Sequence, residues 1–149
     1  MSTACYLPFL LLLVSSFCSG QVNPVTWNFS SEKNAETEYT LTFIAEVIEG
    51  WSIYSQHTDP SGPIPTSFIF EENENIELIG DTEETGNRKE AFDDLFGVNV
   101  IKFNGTVTFT QKIKVKNGNA NVTGFLEFMC CDEEKCLPPK EVDFSFSLN

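Results

Sequence analysis

An all-β, immunoglobulin-like β-sandwich is the fold this sequence predicts, on three observations. Long runs alternate between apolar and polar residues. Turns rich in Gly, Pro and Asn separate them. No segment of helical period and useful length follows the first twenty residues.

In chain order, the first feature is an apolar leader. Met1 to Gly20 carries no charged side chain and holds the unbroken run Phe9-Leu10-Leu11-Leu12-Leu13-Val14. A helix needs about 20 apolar residues to cross a bilayer, so this run is too short. It suits the core of a secretory signal peptide, with small residues at Ser15, Ser16, Ser19 and Gly20 and cleavage after Gly20. The start is atypical, because no Lys or Arg precedes the run. A lipoprotein variant would anchor through Cys18, although Phe17 stands where a small residue is usual. The expected organisation is therefore a signal peptide over 1–20 and one domain over 21–149. No later segment approaches transmembrane length, so the mature chain is expected to stay out of the bilayer.

That domain carries the whole formal charge of -13. Phosphate contacts need Lys and Arg, so nucleic acid is excluded as a natural partner. Anionic membrane surfaces offer such a chain nothing either.

Three long alternations define the strands. Tyr39, Leu41, Phe43, Ala45 and Val47 share one face. So do Val107, Phe109, Ile113 and Val115, with Gln111 as a polar exception, and then Val142, Phe144, Phe146 and Leu148. One apolar and one wet face is the pattern of antiparallel sheets. Shorter candidates are 25–29, 51–54, 66–70, 76–79, 98–103 and 122–129, giving about eight or nine strands. Asp59-Pro60-Ser61-Gly62-Pro63 breaks the chain after the Trp51 strand. Asn104-Gly105 and Asn117-Gly118-Asn119 read as hairpin-type turns, and polar 81–90 as an exposed loop.

Chemistry concentrates in the cysteines. Of five, Cys5 and Cys18 fall in the leader, leaving Cys130, Cys131 and Cys136 within one stretch. An exported protein meets an oxidising compartment, so a disulfide is expected with one thiol left over. Cys131 and Cys136 would bracket four residues, and Cys130 and Cys136 five. A Cys130–Cys131 bridge would need a small strained ring. Cys130 is in phase with Leu126 and Phe128, which favours it as the buried, inert thiol and puts Cys131 nearer the exposed side. Closing so short a loop stabilises by only about 2 kcal/mol, and a domain of this size does not need that staple. A bridge at a hairpin tip is also open to an attacking thiolate. Asp132, Glu133 and Glu134 oppose thiolate formation, partly offset by Lys135. That balance suits a pair that reacts only when a specific partner docks.

No cofactor motif stands out. Cys130, Cys131 and Cys136 with the lone His57 fit no standard zinc spacing, so no metal is expected. Sequons at Asn28, Asn104 and Asn121 matter only in a pathway that glycosylates them.

The segment Phe128-Met129-Cys130-Cys131-Asp132-Glu133-Glu134-Lys135-Cys136-Leu137-Pro138-Pro139, with the alternating run that follows, resembles the N-terminal periplasmic domain of the thiol:disulfide interchange protein DsbD. Gly50-Trp51-Ser52-Ile53-Tyr54 looks like that family's aromatic strand beside the site, and Asp93-Asp94-Leu95-Phe96-Gly97 like its cap loop. The resemblance implies an immunoglobulin-like domain whose pair cycles between dithiol and disulfide. It implies Cys136 as the residue forming mixed disulfides and Cys131 as the one resolving them. Leu95 or Phe96 would be the lid, with Tyr54 and Asp94 lining the site. The implied partners are a thioredoxin-like or DsbD-type reductase and periplasmic thiol proteins. Three departures stand out. The family's transmembrane segments and thioredoxin-like domain are not read in this sequence, so a separate protein is expected to supply the electrons, or else the domain does something different. The cap position matched by Leu95 is not aromatic, and Cys130 is additional. The rival reading is an immunoglobulin-like binding domain with an inert disulfide.

Overall fold

A computed structural model describes residues 22–149; the leader, with Cys5 and Cys18, lies outside them. The described chain forms β1 (Val25–Lys33), β2 (Glu38–Val47), β3 (Ser52–Tyr54), β4 (Ser67–Phe70), β5 (Ile76–Asp93), β6 (Val98–Val115), β7 (Ala120–Phe128), β8 (Cys130–Cys131) and β9 (Lys140–Leu148), with no helix among the described residues. A six-stranded sheet runs β1-β2-β6-β3-β8 with β5 paired to β6, and a three-stranded sheet runs β4-β7-β9. All pairings are antiparallel. The fold is all-β and immunoglobulin-like, as the alternation predicts.

The alternating faces meet between the sheets. Leu41, Phe43 and Ala45 from β2, Val107, Phe109 and Ile113 from β6, Leu126 from β7 and Phe144, Phe146 and Leu148 from β9 are all buried there. Aromatic rings carry much of this layer. Phe43 lies 4.8 Å from Phe68 and 5.0 Å from Phe144 by ring centroid, crossing the two sheets. Such contacts add to the large apolar area each ring removes from water.

Three turn and loop expectations are corrected. Residues 81–90 belong to β5. Because β5 pairs only with β6, both its faces stay wet along most of its length, and no alternation marks it. Asn104-Gly105 is not a hairpin turn but lies inside β6. Gly86 pairs with Val107 and Asn87 with Asn104, so Gly105 and Thr106 form a bulge, and Gly105 takes a φ of 69°. Asn117-Gly118-Asn119 does turn the chain, but from one sheet to the other, since β7 pairs with β4 and β9 and not with β6.

The Gly105 bulge positions the site. Past it, the same edge of β6 changes neighbours, from β2 at Thr106–Lys114 to β3 at Lys102 and Phe103. Asn104 fastens the change, its Nδ2 donating to Ser52 Oγ at 2.9 Å and to the Trp51 carbonyl at 3.3 Å. Of the three sequon asparagines, Asn104 is therefore committed to the interior, whereas Asn28 and Asn121 are exposed.

Gln111, the polar residue on an apolar face, is 1% exposed. Opposite it, Gly80 to Thr82 of β5 leave the ladder between Ile79 and Glu83. Its Nε2 donates to the Ile79, Gly80 and Lys112 carbonyls, and its Oε1 accepts from Thr82 Oγ1 at 2.8 Å. A buried amide is tolerable only when bonded in this way.

Candidate functional site

β7 leaves the smaller sheet at Met129, and its continuation β8 joins the larger one beside β3, pairing Cys131 with Ser52 and Cys130 with Ile53. Successive strand residues face opposite ways. Cys130, 4% exposed, enters the main core. Cys131, 6% exposed, enters a second small cluster with Tyr54 and Val100, packed round by Phe96, Val98, Met129 and Cys136. The opposite facing of the two cysteines follows their parity. The expectation that Cys131 lies toward the exposed side is corrected: the β5–β6 ribbon and the loop at its tip cover that face.

The bridge joins Cys131 to Cys136, with Cα atoms 4.0 Å apart, and leaves Cys130 as a free buried thiol. The two bridged residues also meet as an isolated β-bridge. Asp132 organises the loop between them. Its Oδ1 accepts from the Glu134 and Lys135 amides at 2.8 and 2.7 Å, and its own amide donates to the Lys135 carbonyl at 2.9 Å. Those amide bonds hold the Asp132 carboxyl below the usual carboxylate range. Beyond the bridge, the Leu137 amide donates to the Cys130 carbonyl at 2.9 Å, and Leu137 packs on the main core. The two bridged residues differ in access: Cys136 is only partly buried, whereas Cys131 is covered.

The residues expected around the pair divide. Tyr54 is fully buried beside Cys131. Phe96 stands edge-on to the Tyr54 ring, 6.1 Å between centroids. Leu95 is 69% exposed. Asp94 is exposed too, and its neighbour Asp93 is the carboxylate that acts on Tyr54. Asp93 shapes the loop: its carbonyl accepts from the Gly97 amide at 2.7 Å, its Oδ1 accepts from the Leu95 amide at 3.0 Å, and Gly97 has a φ of 71°. Lys102 approaches its Oδ2 at 4.0 Å. Sequence reasoning missed Asp93, Val98 and Val100. A signal existed for two of them, since Val98 and Val100 are in phase with each other, whereas Asp93 is placed only by its pairing with Val98 across the ribbon. His57 lines a separate groove with Thr82, Glu84 and Arg88, which contains no cysteine.

Burial pushes the Cys130 thiol above its ordinary 9.0, with Lys140 pulling partly back. Burial likewise pushes Tyr54 from 10.0 up to about 12, helped by Asp93 and then Cys130. Both groups are neutral when protonated, so the folded state holds these protons more tightly than the unfolded chain. The resulting stabilisation is complete below the unfolded pKa values and is lost as pH rises through the folded ones. The melting temperature is expected to fall above about pH 9, and Tyr54→Phe to flatten the decline beyond pH 10. Melts across this range check it, and an unaltered slope in Tyr54→Phe would remove that tyrosine from the account.

No protein-family model matches the sequence, and no curated protein matches it. Solved structures do share its fold. The N-terminal periplasmic domain of ScsB from Proteus mirabilis aligns with a TM-score of 0.60 at 14% identity, over 85% of this chain and 47% of that one. This chain thus spans less than half the length of that ScsB structure. The N-terminal domain of Neisseria meningitidis DsbD, solved in its reduced form, aligns with a TM-score of 0.51 at 14% identity, over 81% of this chain and 90% of that one. The fold is that of a DsbD-type N-terminal domain, and at this identity the likeness speaks for fold alone. No helix among the described residues is long and apolar enough to cross a membrane.

Proposed function

We propose that this chain is an exported thiol–disulfide exchange module. It relays reducing equivalents between a membrane-bound or thioredoxin-like reductase and periplasmic thiol proteins. The observation that carries this reading is the asymmetry of the bridge: one cysteine partly exposed, the other buried beneath an aromatic cap. In the dithiol form, the Cys136 thiolate attacks one sulfur of a client disulfide. That bond breaks, the second client sulfur leaves as a thiolate, and a mixed disulfide forms. The Cys131 thiolate then attacks Cys136 Sγ and releases the first client sulfur. Two electrons pass to the client, and its two thiolates take up the protons that the two cysteines released. A reductant dithiol reverses both steps. Phe96 over Tyr54 and Cys131 keeps stray thiols out between encounters, and the acidic loop disfavours unprompted thiolate formation. The apolar leader supports export to a compartment where such exchange occurs.

The test is equilibration of the domain in graded glutathione buffers, with free thiols counted by mass. Two thiols are expected to change state together above about −300 mV, the range of exchange proteins. A bridge still oxidised well below that potential would favour the inert-disulfide binding domain.

A further inference from the structure

We infer that Gly62, in the Asp59–Pro63 turn, is a positioning residue that braces the cap over the bridge and sets how rarely it opens. This rests on the exchange reading above and adds the regulation of the same site. Three observations carry it.

First, the segment after β3 is pinned at several points. The Ser55 amide donates to the Ile101 carbonyl at 2.9 Å, the Ile101 amide donates to Thr58 Oγ1 at 3.0 Å, and Thr66 Oγ1 donates to the Tyr54 carbonyl at 2.5 Å. Ser55 Oγ also bonds to Glu84 of β5, and the Gln56 amide donates to that carboxylate at 2.9 Å. Second, the turn is closed on itself. Asp59 Oδ1 accepts from the Ser61 amide at 2.9 Å and the Ser61 hydroxyl at 2.6 Å, and the Gly62 amide donates to the Asp59 carbonyl at 3.1 Å. Third, the turn presses on the cap. A Cβ on Gly62 would lie 2.7 Å from Val98 Cγ2 and 3.5 Å from Phe96 Cβ. Those are two of the residues that pack against Tyr54 and Cys131. Only a residue without a side chain lets this turn sit so close, and Val98 is β-branched with little rotamer freedom to yield.

Adding that one carbon must shift Val98, and with it the ribbon tip that holds Phe96. The measurement is reduction of the Cys131–Cys136 bridge by excess reduced glutathione, followed by mass at a temperature where the domain is folded. The glutathione thiolate attacks Cys136 Sγ and Cys131 leaves as the thiolate; a second glutathione thiolate then attacks the glutathione sulfur of that mixed disulfide, which frees Cys136 as the thiolate and forms oxidised glutathione. Gly62→Ala is expected to raise this rate by about tenfold, since strained packing is relieved by opening the cap. Asp59→Ala loosens the same turn without adding an atom and is expected to raise it by roughly threefold. Val98→Ala removes the atom that the new Cβ would meet, so in that background Gly62→Ala should have little further effect.

Alkylation of Cys130 separates cap opening from loss of structure, because that thiol lies in the main core. It should not accelerate in Gly62→Ala. A Gly62→Ala rate equal to wild type, with Phe96→Ala faster than both, overturns the brace and leaves the exchange reading standing. Parallel acceleration of Cys130 alkylation also overturns it, assigning Gly62 to general stability. A wild-type bridge that resists even dithiothreitol while folded overturns both.

Discussion

Replacing Cys131 with serine is expected to convert the domain into a trap that holds partner proteins covalently on Cys136. The reason is the division of labour between the two sulfurs. Cys136 is the partly exposed member, and Cys131 is buried in the cluster with Tyr54 that Phe96 packs against. An incoming disulfide can therefore be met at Cys136, and among the described residues the thiol positioned to release it is Cys131, whose Cα is 4.0 Å away. That proximity makes resolution effectively unimolecular, and groups so held gain many orders of magnitude over free thiols. Serine removes the nucleophile and leaves the first step intact, so mixed disulfides accumulate. Cys130 does not substitute, because its side chain faces the main core. Losing the bridge also costs about 2 kcal/mol of loop-closure stabilisation, small enough to leave the domain folded. Incubation with an extract of exported proteins, followed by non-reducing electrophoresis and mass spectrometry, reads the result. Cys136→Ser should trap nothing. Adducts on Cys136→Ser alone would reverse the roles, and adducts on neither would remove most support for the relay.

What could be seen in the sequence follows where environment writes a pattern. Alternation at Tyr39–Val47 and at Val142–Leu148 is visible because one face of each strand is dry and the other wet. Beyond Ile79, β5 is invisible by the same physics: an edge strand wet on both faces carries no period, so Glu83, Arg88 and Glu90 look like loop. Asn104-Gly105 misleads because a left-handed glycine serves a hairpin turn and a bulge equally well, and only its partners Gly86 and Asn87 decide between them. Gln111 could be flagged as an exception but not explained, since the carbonyls it bonds belong to a distant part of the chain. At the site, parity separated Cys130 from Cys131 because β8 alternates. The cover over Cys131 comes from the β5–β6 ribbon, which no local pattern near residue 131 records. Gly62 gives no sequence signal beyond its turn, because its role is set by Val98 across a tertiary contact.

Gly124→Ala is expected to destabilise the domain by about 3 kcal/mol or more, at the upper end of what overpacking does. Gly124 lies buried in β7, the central strand of the smaller sheet, between Phe70 of β4 and Phe144 of β9. A Cβ there would lie within 2.1 Å of the Ile69 carbonyl oxygen and 2.7 Å of Phe144 Cζ. Neither neighbour can yield at low cost. The carbonyl belongs to the backbone of β4, so moving it means loosening the β4–β7 pairing. The Phe144 ring rests over the bare glycine and is held by Phe43 at 5.0 Å, Phe70 at 5.2 Å and Phe146 at 5.9 Å. Urea unfolding monitored by circular dichroism measures the effect as a lower midpoint with an unchanged slope. Phe144→Leu in the same chain should recover part of the loss by relieving the ring clash, while the clash with the carbonyl remains. A loss below about 0.5 kcal/mol, the size of an ordinary surface change, would mean that β4 does not sit against β7 as described. Chemistry should respond differently. The chain changes sheets at Met129 before it reaches the cysteines, and the clash falls at Ile69, three residues beyond the Thr66 bond to the Tyr54 carbonyl, so β4 can loosen at its far end while that bond still holds β3, Tyr54 and the cap. Under conditions where the variant is still folded, its bridge should react with glutathione at the wild-type rate. A parallel rise in that rate would tie the cap to the smaller sheet instead of to the Asp59–Pro63 turn.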